Sequence, residues 1–365
     1  MPVGAHPGVS PGARLLAGPR GRRPCLELVA AGSSDVRGML FHLGYAADVH
    51  AGATRLVAFV GERVDGSALD DQMSAASIDR LVQLIGATRV AITPAAIEEA
   101  LVLSVGAARY WQPPDGWDVL AADARVTAAL TAVADRVVRH PASRWWRRDI
   151  ADTQWALAFD GEPAMFDPAP DAAGRWAAAT RAEEDRARER RLTPAGQGFS
   201  GHWWSHPWGA PHTTGELPGG LPAGLAYVED ALGWTQAEAI PVAGTGRIHE
   251  VRTAADWAHL CRRYPLEVTA ARRHDWFRTT GRDGRWLLPE WSRVAQEWDG
   301  VHLTGWAYLT AATRAIEVDD EYASLIGGWG PDETYWLTGR VRELDVPRVP
   351  WRASDGPAVS SWTRA

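Results

Sequence analysis

Apolar residues in the first part of the chain follow two different spacings. Short runs rich in branched residues and ended by glycine occupy positions 25–32 and 55–64, which is typical of strands. Three later segments repeat apolar residues at helical spacing, and the second of them starts with Thr93 as an N-cap followed by proline. These segments cover 77–87, 93–111 and 121–140. Strands and helices in this order predict an α/β or α+β domain.

The second half of the chain also mixes strand-like and helical patterns. Thr253 provides an N-cap with Asp256 three residues later, which favours the start of a helix. The strand candidates are 225–230, 246–252, 301–304 and 334–337, and the helix candidates are 253–264 and 289–298. We therefore predict an α+β domain here.

Composition divides the chain into five segments. A proline-rich turn region and a charged stretch at 175–190 separate the two halves, and the charged stretch has hardly any apolar face, which predicts a solvated helical spacer. The predicted fold class is α+β, with two mixed α/β domains joined by this linker. The segments are a disordered tail at 1–24, an N-terminal α/β domain at 25–165, a linker and charged helix at 166–192, a tryptophan-rich α+β domain at 193–345 and a C-terminal tail at 346–365.

All 38 basic side chains of the 365-residue chain are arginine, and the chain contains no lysine. Asparagine is absent as well, a composition that is typical of a GC-rich genome. A Schiff base needs a primary amine and a P-loop needs its lysine, and a permanently charged guanidinium replaces neither. PLP enzymes, class I aldolases, Walker-type NTPases, protein kinases and Ser-Lys hydrolases are therefore disfavoured.

Net charge and cysteine content limit the partners and the compartment. The formal charge of −7 disfavours general nucleic-acid binding and attraction to an anionic membrane. Cys25 and Cys261 lie far apart and form neither a disulfide framework nor a CxxC pair. No stretch approaches the roughly 20 apolar residues of a membrane span. We expect a soluble, cytoplasmic protein.

Segment 201–214 combines three histidines with three tryptophans. The histidines are His202, His206 and His212, and the tryptophans are Trp203, Trp204 and Trp208. A catalytic zinc takes three protein ligands, so the histidines are a candidate metal site. Proline and glycine within the segment argue against the helix that would give the spacing geometric meaning. The alternative is a loop whose aromatic side chains line a pocket.

Segment 272–286 alternates arginines with aromatic side chains. Guanidinium groups bind phosphate or carboxylate and stack on aromatic faces, so this segment predicts a site for an anionic ligand with a flat part. The arginines are Arg272, Arg273, Arg278, Arg282 and Arg285, and the interspersed residues include His274, Asp275, Trp276, Phe277 and Trp286. His274 and Asp275 are candidates for acid–base work. The alternative is a surface loop whose arginines pair with Asp283, Glu290 and Glu297.

Three further residues follow an order along the chain. Arg252 ends a predicted strand, Thr304 lies on the next, and Glu333 opens a third after a Gly/Pro turn. This order resembles the arginine, serine, glutamate class of ADP-ribosyltransferases. The resemblance implies that Arg252 holds the phosphates of NAD as co-substrate, that Thr304 shapes the nicotinamide pocket, and that Glu333 bonds the nicotinamide ribose. A carboxylate there would stabilise the oxocarbenium charge of the transition state.

A pair of adjacent acids, Glu229 and Asp230, follows the predicted strand at 225–230. Paired carboxylates can perform general acid–base chemistry. Adjacent acids mostly point to opposite faces or into solvent, however, so surface charge is the simpler interpretation.

Three functional hypotheses follow from these residues. The first is an enzyme that binds a nucleotide or another phosphorylated aromatic ligand in the C-terminal domain, with an ADP-ribosyltransferase-like reaction as its sharpest form. The second is a noncatalytic module that binds a small ligand or a partner through a Trp/Arg pocket. The third is a metal-dependent hydrolase that uses the three clustered histidines. In overall composition the chain also resembles tryptophan-rich proteins of GC-rich bacteria, a resemblance that implies no function.

Overall fold

The structure is a computed structural model, and it describes residues 9–50, 75–161, 171–190, 193–229, 233–354 and 361–365. Contacts between residues divide the chain into two compact units. The first comprises Met1–Ser104 and Pro113–Arg144, and the second comprises Val105–Gln112 and Trp145–Ala365. The strand predicted at 55–64 lies outside the described residues. The domain boundaries drawn from composition remain predictions.

Helices alone build the described part of the first unit. They are α1 Pro11–Leu15, α2 Pro19–Gly32, α3 Ser34–His50, α4 Ala75–Ala87, α5 Pro94–Gly106, α6 Gly116–Ala122, α7 Ala124–Ala129 and α8 Thr131–Arg139. Leucines from five of these helices are buried, and their apolar area is removed from water on folding. They are Leu15, Leu26, Leu40, Leu81 and Leu101.

The strand predicted at 25–32 is wrong, because these residues form most of helix α2. The apolar run is buried on several sides, and a short run of that kind cannot be told from a strand by periodicity. Pro19 at the first helical position favours a helix. Arg23 is 7% exposed and binds Asp115 at 2.8 Å, which gives its buried charge a partner.

Order also begins earlier than the composition of the first residues predicts. Ser10 caps α1 by accepting a hydrogen bond from the amide of Ala13 at 3.1 Å. Of the predicted tail at 1–24, the described residues from Pro11 onward therefore lie mainly in α1 and α2. The proline and glycine content of this segment marks helix starts instead of disorder.

The helices predicted at 77–87 and 93–111 are confirmed as α4 and α5, and Thr93 caps α5 by accepting from Ala96 N at 3.2 Å. The single helix predicted at 121–140 is interrupted. Asp123 ends α6 and its side chain accepts from Arg125 N at 2.8 Å, so it caps the next helix instead of continuing the previous one.

The second unit contains both helices and strands, and a 3₁₀ helix, Pro141–Arg147, precedes its long segment. The helices are α9 Ala172–Glu189, α10 Ala223–Ala226, α11 Ala254–Arg263, α12 Thr269–Thr280, α13 Trp291–Val294 and α14 Gly305–Ala311. The strands are β1 Gln154–Phe159, β2 His212–Gly215, β3 Gln236–Gly244, β4 Ile248–Val251, β5 Pro265–Glu267, β6 Arg285–Pro289, β7 Gly300–Leu303, β8 Ile316–Glu317, β9 Tyr322–Ser324, β10 Glu333–Trp336, β11 Val341–Glu343, β12 Val349–Ser354 and β13 Ser361–Arg364.

The strands form two sheets. The larger has the order β13-β12-β3-β1-β2-β10-β7-β4, with β11 also paired to β3, and the smaller has the order β5-β6-β9-β8. Only β4–β7 and β6–β9 are parallel among the described pairs. In the larger sheet Leu303 lies opposite both Val251 and Glu333. The ends of β4 and β7 and the start of β10 therefore share one edge of the sheet.

Several predicted elements of the second unit are confirmed, and one is wrong. Strands β4, β7 and β10 and helix α11 correspond to the predictions at 246–252, 301–304, 334–337 and 253–264. The described part of the predicted strand at 225–230, residues 225–229, is not a strand, since α10 follows Pro222 and occupies its start. The helix predicted at 289–298 is shorter in the structure, where it is α13, Trp291–Val294. The predicted tail at 346–365 contains β12 and β13.

The charged helix at 175–190 exists as α9, but it is not a solvated spacer. Its buried residues recur at helical spacing and are Ala173, Trp176, Ala177, Thr180 and Glu184. Alanine and threonine make this stripe inconspicuous in a segment, 175–190, that has nine charged residues. Glu184 accepts hydrogen bonds from the amides of Ala270 and Ala271 at 3.1 and 2.8 Å, so α9 caps the start of α12.

The predicted α+β fold class is confirmed, with helices and mixed sheets in one chain. Within the described residues, no helix is both long enough and apolar enough to cross a membrane.

Candidate functional site

A cavity of about 310 Å³ opens in the second unit beside the larger sheet. Aromatic side chains form much of its wall, and two carboxylates and one histidine face it. The lining residues are Trp155, Leu157, Phe159, His212, Thr213, Thr214, Gly224, Tyr227, Val228, Glu229, Trp234, Gly328, Trp329, Gly330, Pro331, Glu333 and Tyr335. Its size and apolar lining are those of a small-molecule site.

The alternation of side chains along β1 and β10 explains which residues line the cavity. Residues 155, 157 and 159 of β1 share one face because alternate side chains of a strand point the same way, and residues 333 and 335 of β10 do so for the same reason. Strand β2 lies between β1 and β10 and contributes His212. The segments 224–229 and 328–331 complete the cavity.

Three donors among the described residues hold Glu229. The hydroxyls of Tyr110 and Tyr308 donate to its Oε1, each at 2.8 Å, and the amide of Gly328 donates to its Oε2 at 2.8 Å. Hydrogen bonds to a carboxylate favour its ionised form and fix its orientation. Surface charge was therefore the wrong interpretation of Glu229, whereas its neighbour Asp230 lies outside the described residues.

Glu333 is held from two sides. His212 Nδ1 donates to its Oε1 at 2.5 Å, and the amide of Gly330 donates to its Oε2 at 2.6 Å. The segment from Gly328 to Gly330 thus binds one oxygen of each cavity carboxylate through a backbone amide. Gly328 has φ +78°, a conformation that a side chain would strain.

His212 is coupled to Glu333 through this bond. Partial burial of the ring works against the charged form, but the hydrogen bond and the charge of Glu333 raise the pKa of His212 above its ordinary value. The side chain is 48% exposed, so solvent moderates the effect. The net charge of the His212–Glu333 pair at the cavity wall therefore depends on whether His212 is protonated.

Tyr335 supplies a neutral hydroxyl near the two carboxylates. Burial, followed by the charges of Glu333 and Glu229, raises the pKa of Tyr335 well above its ordinary value. Its ring stacks on His206 and His212 at centroid distances of 4.7 and 5.3 Å. The hydroxyl consequently stays protonated and the ring is fixed by its neighbours.

Asp332, next to Glu333 in the chain, belongs to a separate buried cluster. Its Oδ1 lies 3.5 Å from His302 Nε2, and its Oδ2 accepts from Gly215 N and Arg148 at 3.1 and 3.3 Å. His302 Nδ1 donates to Glu250 at 2.6 Å. Burial works against the charged ring, but Asp332 and Glu250 raise the pKa of His302 to about 9.

The three clustered histidines have separate surroundings. His202 pairs with Glu183 at 3.2 Å, His206 stacks on Tyr335, and His212 binds Glu333. Burial and the charge of His212 lower the pKa of His206 to about 3, so His206 is neutral. Among the described residues, no group of three His, Cys, Asp or Glu side chains is placed to hold a metal ion. The metal-site alternative thus lacks its ligand set, because loop segment 201–211 directs each ring differently.

The arginine–aromatic segment lies in α12 and β6 and packs internally. Arg278 donates to the carbonyls of Gly196 and Gly198 at 3.1 and 2.6 Å and pairs with Asp275 at 3.0 Å. Burial lowers the pKa of Arg272, which is 1% exposed and pairs with Glu183 at 2.9 Å. These guanidinium groups are therefore engaged in holding loops and helices of the unit.

The remaining residues of that segment are also outside the cavity. Trp276 is buried and its indole donates to Trp203 O at 2.9 Å, while Ser200 accepts from His274 N at 3.2 Å. Arg273 lies 3.9 Å from Asp283, one of the surface pairs expected as the alternative. Arg282 lies over the ring of Trp286 at 5.1 Å.

Trp203 and Trp204 belong to a different aromatic group. Trp203 stacks on Tyr110 at 4.8 Å and contacts Trp111 and Trp204 at 5.4 Å each. Neither Trp203 nor Trp204 lines the cavity. The alternative interpretation of segment 201–214 was a loop whose aromatic side chains line a pocket. The residues of this segment that line the described cavity are His212, Thr213 and Thr214.

Arg252, Thr304 and Glu333 lie at one sheet edge, but only Glu333 lines the cavity. Thr304 is 1% exposed and caps α14 by accepting from Ala307 N at 3.1 Å. Arg252 is about half exposed and binds Asp149 through two nitrogens at 2.7 and 2.6 Å. Of the predicted site residues, the cavity brings together Glu333 and His212.

Sequence reasoning did not find several cavity residues, namely Trp155, Phe159, Glu229, Trp234, Trp329 and Tyr335. Alternation of large residues in QWALAF and ETYW was the available signal, since it places Trp155 with Phe159 and Glu333 with Tyr335 on shared strand faces. No protein-family model, curated protein or solved structure matches this chain, so its chemistry has to be inferred from its own side chains.

Proposed function

We propose that the protein is an enzyme that breaks a glycosidic bond, by transfer or hydrolysis, with Glu333 and Glu229 stabilising the positive charge that develops on the sugar. One observation carries the proposal. The two carboxylates face one cavity, and each is fixed by an amide of the segment from Gly328 to Gly330. Pre-oriented charge facing a developing cation is an effective form of transition-state stabilisation.

The walls of the cavity suit a sugar and a flat leaving group. Phe159 and Trp234 stack at 4.2 Å with planes 18° apart, which makes a flat aromatic surface. Glycosidic cleavage passes through an oxocarbenium-like transition state, and the carboxylates would stabilise it.

An ADP-ribosyltransferase-like reaction with NAD is the sharpest form of this proposal. The shared sheet edge of Arg252, Thr304 and Glu333 supports it. Arg252 pairs with Asp149 where both side chains are more than half exposed, and such pairs cost little to break, so a phosphate could take the place of Asp149. In this form Glu333 performs the step that the family resemblance implies.

The test is turnover of NAD and of a panel of 4-nitrophenyl glycosides by the purified protein, followed as nicotinamide or nitrophenol release. One substrate class should turn over, and Glu333→Gln should lower kcat by about 100-fold or more. Glu343→Gln is the matched control, because Glu343 pairs with Arg348 at an exposed position outside the cavity. Failure of both substrate classes, or equal rates in Glu333→Gln and the unmodified protein, would contradict the proposal.

A further inference from the structure

We infer that the cavity binds an organic cation, a quaternary or protonated nitrogen carried by a small flat or methylated group, with Glu229 and Glu333 as counter-charges. The inference deepens the proposed function by naming the class of substrate at the same site. It rests on that function only for catalysis, since cation binding itself requires no bond to break.

The charge balance of the wall favours a cation. Glu229 and Glu333 both face the cavity, and none of its described lining residues is an arginine. The nearby guanidinium of Arg148 donates to the Glu216 carbonyl and to Asp332, which the cavity does not include. His212 offsets part of the negative charge only when it is protonated. Among the described lining residues an anionic group would meet two carboxylates and no guanidinium group, which is unfavourable.

Aromatic faces add attraction that is specific for a cation. Trp155, Trp234 and Trp329 line the cavity. The face of an aromatic ring is negative, so it attracts a cation, and the attraction grows where water is displaced. Aromatic cages with nearby carboxylates are how proteins bind methylated ammonium groups. The carboxylates and the aromatic rings therefore both favour a cation in the cavity.

The size of the cavity limits the ligand. A volume of about 310 Å³ is at the small end for ligand sites, which fits one ring or one trimethylammonium group with a polar substituent. The ligand class is thus a small cation.

Two matched pairs of probes test the charge alone. Choline and its uncharged isostere 3,3-dimethylbutan-1-ol share a shape and a hydroxyl, and 1-methylnicotinamide and 3-methylbenzamide share a ring and a carboxamide. Isothermal titration calorimetry on the full chain should give a dissociation constant at least about tenfold lower for the better cation than for its isostere. Equal affinities within both pairs, or binding by neither cation, would overturn the inference.

Variants locate the site. Glu333→Gln and Glu229→Gln should each weaken cation binding by about tenfold while the neutral isosteres bind as before. Gln keeps the shape and an acceptor for the amide of Gly330 or Gly328, and thermal unfolding of each variant checks that it is folded. Glu343→Gln should leave the affinity unchanged. If both cavity variants fold and retain full cation preference, the site is elsewhere and the inference fails.

The outcomes of the two proposals are separable. Cation binding without turnover of NAD or of any glycoside would remove the enzymatic function and leave the binding site standing. Turnover that depends on Glu333, combined with equal affinity for cations and their isosteres, would keep the enzyme and remove the cation as its substrate class.

Discussion

The carboxylates of Glu229 and Glu333 differ in the donors that hold them. Glu229 accepts from two tyrosine hydroxyls and an amide, groups that do not titrate near neutral pH. Glu333 accepts from His212, an imidazole whose charge changes in that range. The charge of the His212–Glu333 pair therefore changes with the protonation of His212.

Cation affinity should rise with pH through the titration of His212. Protonated His212 offsets the charge of Glu333, and neutral His212 leaves that charge to the ligand. Because Glu333 raises the pKa of His212, the rise should be centred above the ordinary histidine value of about 6.5. Calorimetric titration of choline between about pH 6 and 9 measures it, and NMR titration of the His212 ring protons identifies the group.

Two controls separate this effect from general charge. In Glu333→Gln the carboxylate that raises the pKa of His212 is absent and burial of the ring remains, so the midpoint should move down. Binding of 3,3-dimethylbutan-1-ol should be independent of pH. Choline affinity that is flat, or that falls as pH rises, would contradict the role of His212.

Residue-scale prediction reaches candidates whose chemistry is visible in chain order, and it does not reach contacts that come from strand pairing. The order of Arg252, Thr304 and Glu333 points to Glu333, and the histidine cluster points to His212, but neither pattern predicts that the two side chains meet. Their contact arises because β2 and β10 are neighbours, with Tyr335 opposite His212. Glu229 was missed because no sequence pattern brings Tyr110 and Tyr308 to it. The five arginines of 272–286 pair with or cover their own surroundings, which a linear pattern does not reveal.

Elements were predictable where a cap or an amphipathic period marks them. Thr93 and Thr253 cap α5 and α11 as expected, since side-chain caps leave a local sequence signal. The failure at α2 has a different cause. Its apolar run is enclosed by other helices, and this enclosure depends on tertiary contacts such as Arg23 with Asp115. A sequence shows where a helix can begin more clearly than what will surround it.

Close approach of α3 and α6 gives a prediction at the element scale. A Cβ added at Gly116 would lie 1.9 Å from the carbonyl oxygen of Gly44. The obstacle is backbone, so the helices must separate, and Gly116→Ala should lower the free energy of unfolding by about 1–3 kcal/mol. Urea unfolding followed by circular dichroism measures the change.

Gly38→Ala is the matched control on the same helix, α3. A Cβ at Gly38 meets no heavy atom within 4 Å, so alanine adds helix propensity without a clash. We expect it to leave stability unchanged or raise it by about 0.5–1 kcal/mol. If Gly116→Ala proved as stable as Gly38→Ala, the close approach of the two helices would be wrong.

At the scale of the whole molecule, the 38 lysine and arginine positions are all arginine. Guanidinium groups tolerate burial with a partner, and Arg23 and Arg272 are both nearly inaccessible and paired with carboxylates. Many of the 38 arginines thus act in structure, whereas the cavity is left to carboxylates and aromatic rings. The absence of lysine disfavours several reaction classes, but it does not show where an anion or a cation would bind.

The buried cluster of Glu250, His302 and Asp332 should make the stability of the folded chain depend on pH. The folded pKa of His302 is raised to about 9, above an unfolded value of about 6.5, so its stabilisation is fully present below about pH 6.5 and is lost as pH rises through 9. A shift of this size corresponds to roughly 3 kcal/mol. The unfolding free energy of the unmodified protein minus that of His302→Gln should therefore shrink by that order between about pH 6 and 10. Urea unfolding of both proteins at each pH cancels the titrations they share, and a difference that stays constant or grows with pH would show that His302 is not charged in the fold.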